Sequence, residues 1–255
     1  MKPLVSVIMS CFNAADTLNR AIDSILNQTY ENFEFIIIDD GSTDATVAIV
    51  QSYLKKDHRF VFYQNLSNIG LAGSLNKGIS VANGQYIARM DADDYSYPNR
   101  LCAQVSFLEE NPSIDIVGSN MELVDKYDTV IDVTTIPANH DRIVKRVFRK
   151  PLVYHPTVMI KSTVFSNFGF YDSTLRWAED ADLWYRIYDK VTFHNLQTPL
   201  VRYTTREKLT SKIVWNNLKV KYKNLKSRQL FLVHGHLLVS DLLIMSLRRI
   251  KNIQF

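Results

Sequence analysis

The sequence predicts an α/β domain built on a Rossmann-like, mainly parallel sheet with helices on both faces. Three observations carry that reading. A short apolar run followed by a helix-spaced apolar stripe recurs four times before Pro112. Each run ends in a polar or acidic loop, and the alternation fades only after Pro112.

The first run, Leu4 to Met9, ends in Ser10-Cys11-Phe12-Asn13, and Leu18, Ala21, Ile22, Ile25 and Leu26 mark the helix behind it. The second, Phe33 to Ile38, opens into Asp39-Asp40-Gly41-Ser42 before a helix bearing Val47, Val50 and Leu54. Phe60 to Tyr63 leads through Asn65 to Gly70 into Leu71, Leu75 and Ile79. Tyr86 to Met90 ends in Asp91-Ala92-Asp93-Asp94, ahead of Leu101, Val105 and Leu108. Right-handed crossovers gather the four loops at one edge of such a sheet, where ligands sit.

Asp91, Asp93 and Asp94 repel one another at this spacing, and a divalent cation is the natural partner to neutralise them. A solvated acidic turn capping the next helix is the alternative. No G-x-G-x-x-G follows the first strand and no P-loop occurs anywhere in the chain. A nucleotide bound here would therefore need a metal to hold its phosphates.

Composition sets the outer bounds. The 255 residues, 46% hydrophobic and 22% charged, suffice for a large buried core and exclude a disordered chain. Two cysteines, Cys11 and Cys102, without a C-x-x-C, fit a reducing compartment. The N-terminus lacks a signal-peptide pattern and no run of 18 apolar residues occurs, so a cytoplasmic protein without a membrane span is expected. The net charge of +4 is concentrated in the tail, from Lys219 to Arg228 and again at Arg248, Arg249 and Lys251, which suggests an acidic surface as partner rather than nucleic acid.

Beyond Pro112, Ile114 to Gly118 and Met121 to Val124 read as strands, Val130 to Thr134 as a hairpin partner and Asp141 to Arg149 as a short basic helix. His155-Pro156-Thr157-Val158-Met159-Ile160 resembles a strand of a known enzyme family, which would place a strand there. Glu179-Asp180-Ala181-Asp182 opens an amphipathic helix with Leu183, Trp184 and Ile187, a placement that the helix dipole alone would favour.

Val5 to Met9 with Phe12-Asn13, Ile38-Asp39-Asp40-Gly41-Ser42-Thr43-Asp44, Asn68-x-Gly70, Ala82-x-Gly84-x-Tyr86 and Asp91-Ala92-Asp93-Asp94 together resemble the family 2 glycosyltransferases of GT-A fold. Order and spacing are both kept, over residues 4 to 205. The resemblance implies an inverting transfer of a sugar from a nucleotide-sugar donor, with uridine as the expected base and Mn²⁺ or Mg²⁺ as cofactor. The acceptor would be a saccharide or lipid-linked saccharide of a cell-surface polysaccharide. Phe12 would lie against the base and Asp40 would bond its ring, with Asp39 nearby. Asp93 would be the direct metal ligand, Asp91 its partner, and Asp94 a support for the following turn. Asp180 would be the general base, Glu179 would orient the acceptor, Trp177 would offer a sugar ring an apolar platform, and His155 would enter the cleft. The family often carries a histidine after Val201-Arg202-Tyr203, where this chain has Thr204 and Thr205, so a third metal ligand would have to come from His155 or solvent.

The expected organisation is a catalytic domain over 1–209, with a nucleotide half over 1–112 and an acceptor half over 113–209, and a helical extension over 210–255. The extension reads as a basic helix followed by an apolar one with Leu232, Val239, Leu242, Leu243 and Leu247. His234 and His236 cannot share a helical face. The extension fits either contact with an anionic membrane surface or packing on protein. An inactive nucleotide-sugar-binding relic is disfavoured because Asp93 and Asp180 are both present. A sugar-phosphate nucleotidylyltransferase is disfavoured because Ser10 to Asn13 is not a glycine-rich, arginine-containing loop.

Overall fold

Alternation along each central strand sends its apolar side chains to two different cores. In the computed structural model, which describes residues 2–205 and 211–227, Val5, Val7 and Met9 pack on one face of the first strand and Ile8 on the other. The elements run β1 (Val5–Cys11), α1 (Ala15–Leu26), β2 (Phe33–Asp39), α2 (Thr46–Leu54), β3 (Phe60–Gln64), α3 (Leu71–Val81) and β4 (Tyr86–Asp91). They continue as β5 (Tyr95–Ser96), α4 (Arg100–Glu110), β6 (Ile116–Val124), β7 (Val130–Val133), α5 (His140–Val144), a 3-10 turn (His155–Thr157), β8 (Met159–Lys161), α6 (Ser162–Phe168), α7 (Glu179–Ile187), β9 (Phe193–Thr204) and α8 (Ser211–Ser227).

The strands form one sheet in the order β3-β2-β1-β4-β8-β6-β9-β5, with β7 added on β6. Pairing is parallel from β3 to β4 and between β6 and β9, and antiparallel where β8 joins β4 and β6. Side chains of α1, α2 and α4 cover one face, and those of α3, α6, α7 and α8 the other. Strand order reverses beside β1, the place where open sheets of this kind leave a ligand crevice. There Ser10 is in register with Asp91, and Cys11 with Asp39, so three of the four expected loops start side by side.

Several elements differ from expectation, each for a local reason. The two strands expected over 114–124 are one, β6, bent by register shifts at Asn120. The basic helix ends at Val144, and turns follow up to Phe148, whose φ of 63° is left-handed and cannot continue a helix. His155 sits in the 3-10 turn with Pro156, so the strand begins only at Met159. On α2 the buried positions are Thr46, Val50 and Tyr53. Thr46 accepts from the Ala14 amide (2.8 Å) and Tyr53 donates to Asp23 (2.8 Å), which satisfies the hydroxyls that burial would otherwise strand.

The extension is described only as far as Ser227. Helix α8 packs on α7, burying Leu218 and Leu225, while Asn224 donates to Asp182 (3.2 Å) and Lys223 pairs with Asp172 (2.9 Å). The apolar second helix expected over 232–247 lies outside the described residues. Among those residues no helix is long and apolar enough to cross a membrane.

Gly84 explains one motif glycine. Its amide donates to Ser6 Oγ (2.8 Å), and a Cβ there would stand 2.5 Å from the Ser6 nitrogen and 2.8 Å from the Tyr86 oxygen. Gly84→Ala should therefore push β1 from β4 and lower stability by about 1–3 kcal/mol, read as a shifted midpoint in urea unfolding; an unchanged midpoint would mean the two strands approach less closely.

Candidate active site

Two cavities meet at the carboxyl edge of the sheet, and Asp91 lines both. The larger, of about 740 Å³, is bordered by Phe12, Asp40, Asp91, Asp93, Arg176 and Trp177. The smaller, of about 350 Å³, is bordered by Arg89, Asp91, His155, Glu179, Asp180 and Tyr203. The structure thus brings together residues from β1, the loop after β2, β4, the 155 turn and α7, with Ser10 and Asp180 lying 170 positions apart in sequence.

The floor of the larger cavity is knitted from loops. The Asn13 amide donates to Ser42 Oγ (2.9 Å), and Asn13 Oδ1 accepts from the Thr43 amide (2.8 Å). Phe12 remains half exposed at the rim. Asp40 was expected to face a ligand ring, but its carboxylate already accepts from Asn65 Nδ2, the Ile69 amide and the Gly70 amide, each at 2.9 Å. It clasps the loop before α3. Asp39 lies beneath it, fully buried: one oxygen accepts from the Ser42 amide (3.1 Å), and the other has no partner in the protein. Trp177 is exposed and shares this cavity with Arg176, whose guanidinium donates to Asn68 Oδ1 (2.9 Å).

The acidic loop is held from outside. Thr204 Oγ1 and Arg20 both donate to the Asp93 carbonyl (2.7 and 2.8 Å), and the Thr204 amide donates to Asp94 Oδ1 (3.1 Å). Thr204 therefore lies against the loop and fixes its backbone. Asp94 is fully buried with its second oxygen unpartnered, and burial followed by the charges of Asp91 and Asp93 pushes its carboxyl well above the usual range. It ties the loop to β9 more than it supports the next turn.

Asp91 and Asp93 both line the larger cavity, Asp91 with its two oxygens bonded by Arg89. Among the described residues no group of three or more His, Cys, Asp or Glu side chains is placed to share one. His155 is thereby removed as a third protein ligand: it is buried on Tyr171, with Nε2 2.8 Å from the tyrosine hydroxyl. Hard ions such as Mg²⁺ and Mn²⁺ are often held by one or two carboxylates plus substrate phosphates. The Asp91 and Asp93 charges that add to burial in raising Asp94, and that Arg89 offsets in part, fit that donor set.

A residue the sequence reading passed over sits between the cavities. Arg89, in the otherwise apolar β4, is buried and forks both guanidinium Nη atoms onto the two oxygens of Asp91, while its Nε has no partner. A charge inside an apolar strand run was the signal available. Its field favours the ionised forms of Glu179 and Asp180 and, with burial as the larger cause, holds His155 neutral. Tyr171 had no comparable sequence signal.

Glu179 and Asp180 begin α7 behind Ala178, which adopts a left-handed φ of 66°. Glu179 is buried with Oε1 4.0 Å from His155 Nδ1, whereas Asp180 is partly open to the cavity. Burial, then the neighbouring Asp180 charge, lifts the Glu179 carboxyl to about 7. Burial also raises Asp180, against its amide hydrogen bonds and Arg89.

Comparison with known proteins followed the same outline. The family model described as "Glycosyl transferase family 2" matches residues 6–168. An uncharacterized glycosyltransferase of Methanocaldococcus jannaschii is 33% identical over 237 residues, covering 88% of this chain and 81% of its own. Residues 1–349 of S. aureus TarS in complex with UDP-GlcNAc superpose with a TM-score of 0.70 at 20% identity, over 87% of this chain and 66% of that one. The mannosyltransferase PcManGT of Pyrobaculum calidifontis, in complex with GDP-Man and Mn²⁺, gives a TM-score of 0.66 at 17% identity, over 89% of this chain and 64% of that one. These two solved chains share the GT-A fold, and this chain spans slightly under two thirds of each.

The folded state holds the Glu179 proton more tightly than an unfolded chain would, so this group's contribution to stability is lost as pH rises from 4.5 to about 7. Glu179→Gln should remove that loss and raise stability above pH 7 by on the order of 1–3 kcal/mol, with little effect at pH 4.5. Urea unfolding of both proteins across this range checks it; parallel pH profiles would show that Glu179 is not perturbed.

Proposed function

Because the chain belongs to glycosyl transferase family 2, we propose that it moves a sugar, with inversion, from a nucleotide-diphosphate donor to an acceptor hydroxyl. The donor is a UDP-sugar, and the acceptor is a saccharide or lipid-linked saccharide in cell-surface polysaccharide synthesis. The observation that carries this reading is that Asp91 borders both cavities, one suited to a nucleotide and the other holding the acid pair.

In the larger cavity Phe12 lies against the base, the Asp40 carboxylate accepts from its ring with Asp39 nearby, and Trp177 gives the sugar an apolar face. Asp93, with Asp91 as its partner, would hold a divalent ion, which would supply charge neutralisation for the diphosphate leaving group. In the smaller cavity Asp180 receives the proton of the acceptor hydroxyl as that oxygen forms its bond to the anomeric carbon. The bond from that carbon to the diphosphate oxygen breaks on the opposite side, which inverts the centre. Glu179, with a pKa near 7, keeps its proton for part of the time at neutral pH and can donate to the acceptor. Arg89 positions Asp91 and keeps Asp180 ionised enough to act. The exposed Lys219 and Lys226 of α8, with the basic residues that follow in sequence, support a peripheral contact with an anionic membrane where a lipid-linked acceptor would lie.

The purified chain with Mn²⁺ should be stabilised by UDP and should transfer or slowly hydrolyse one member of a nucleotide-sugar panel. Stabilisation by no nucleoside diphosphate, together with no turnover, would sink the reading. Asp180→Asn should lower kcat by roughly 10²–10⁴-fold with UDP affinity kept, whereas Asp93→Asn should weaken UDP binding in Mn²⁺. Calorimetry and single-turnover rates separate the two; loss of UDP affinity in the Asp180 variant would contradict the division of roles. Arg89→Lys keeps the charge but not the fork, and should lower kcat at unchanged donor KM.

A further inference from the structure

A third cavity, of about 570 Å³, opens beside the smaller one and is lined by Thr135, Lys145, Arg146, Arg149 and Lys150 among others, none of them acidic or aromatic. Among the described residues none of its four cations has a carboxylate partner. Four like charges within six residues repel, and a bound anion would relieve that repulsion.

These residues are anchored. Phe148, in the middle of the basic run, is left-handed at φ 63° and buried, its ring 4.5 Å from Tyr185 and 6.1 Å from Tyr188. Tyr185 belongs to α7, the helix that begins with Glu179 and Asp180. The cations are thus mounted on the same helix as the acid pair. The connection to the smaller cavity is immediate, because Lys150 is followed by Pro151, which lines it with His155 and Asp180. On the other wall the Ile136 amide donates to Asn120 Oδ1 (3.0 Å), next to Met121 of the smaller cavity.

We propose that this cavity binds a phosphate or diphosphate group carried by the acceptor substrate, on the side of the acid pair away from the nucleotide. Two guanidinium forks, two ammonium groups and a hydroxyl suit the several acceptor oxygens of a diphosphate. The lack of an aromatic lining disfavours a nucleobase, and the volume exceeds what one small ion requires. The proposal rests on the glycosyl-transfer reading only for the identity of the bearer as an acceptor.

The test is calorimetric binding of inorganic pyrophosphate to the full chain in low-salt buffer with EDTA. The chain should bind, less tightly as salt rises, and Arg149→Glu with Lys150→Glu should weaken binding by at least about tenfold, while Asp93→Asn leaves it unchanged. UDP with Mn²⁺ should bind the doubly substituted chain as it binds the original, which controls for folding. No pyrophosphate binding, or equal binding by the doubly substituted chain, would overturn the proposal while leaving the nucleotide reading intact. Pyrophosphate binding by a chain that binds no nucleoside diphosphate and turns over no nucleotide sugar would instead remove the glycosyl-transfer reading and overturn the acceptor assignment, leaving only the anion site. A second arm compares phosphatidylcholine vesicles doped with a polyprenyl diphosphate against vesicles of equal charge made with phosphatidylglycerol. Stronger retention on the former supports an acceptor-borne diphosphate, and equal retention assigns the cavity to general lipid charge and overturns the acceptor assignment.

Discussion

The fork between Arg89 and Asp91 is the interaction on which the acidic end of the sheet depends. Five carboxylates, from Asp91, Asp93, Asp94, Glu179 and Asp180, lie along the two adjoining cavities or directly beneath them, and Arg89 is the cation buried among them. Burying a guanidinium in an apolar strand is unfavourable unless it is paired and bonded. Here the surrounding carboxylates outweigh burial, so its charge is held more firmly than in water. Arg100, fully buried below it, donates to the Arg89 carbonyl (2.7 Å) and fixes the strand from which the fork projects. Burial, and then the nearby Arg89 charge, brings Arg100 down to about 9, the cost of setting two guanidinium groups under one acidic edge.

The second constraint is the long return of the chain. Strand β9 runs parallel to β6 through two register shifts and ends at Thr204, whose hydroxyl and amide both bond the acidic loop 110 and 111 residues earlier. Arg20 of α1 reaches the same carbonyl and also bonds Thr204 Oγ1 (2.9 Å). Threonine at this position supplies short, directional backbone support, which an exposed acidic turn would lack. The loop that presents Asp93 is therefore fixed by elements from the first and the last parts of the catalytic unit. Rigidity of this kind is what a two-substrate site requires before either substrate arrives.

The architecture and the neighbourhood of the acid residues were legible in the sequence because both rest on local pattern. Strand alternation, helix stripes and polar strand ends depend on a few neighbouring residues, and the sheet then gathers the loops by its own handedness. The hold of Asp40 on the loop before α3 was not legible, since it is decided by where the amides of Ile69 and Gly70 point after the third crossover. Arg89 was readable as a charge in an apolar run, but its partner at i+2 suggested nothing, because strand neighbours at that spacing usually share a face without forming a fork. The end of α5 and the 3-10 turn at His155 were misplaced because one left-handed Phe and one Pro override periodicity. Phe148 gives no sequence warning, as bulky residues rarely adopt that conformation.

Electrostatics decides between the two meanings of an acidic helix start. A carboxylate that merely caps a helix or turn is held ionised by the amides it accepts from, and its pKa falls. Asp44 behaves that way, lowered by Thr46, and so does Asp172, brought to about 2 by Thr174 and Lys223. Glu179 and Asp180 occupy the first turn of α7, where the dipole and the backbone amides act in the same sense, and Arg89 adds to them. Both nevertheless move upward: burial leads in each, and the neighbouring Asp180 charge adds to it at Glu179. Residues kept only for capping have no reason to be placed where burial opposes their charge. Glu179 and Asp180 instead have their proton affinity raised by burial, beside a cavity and behind a left-handed Ala178.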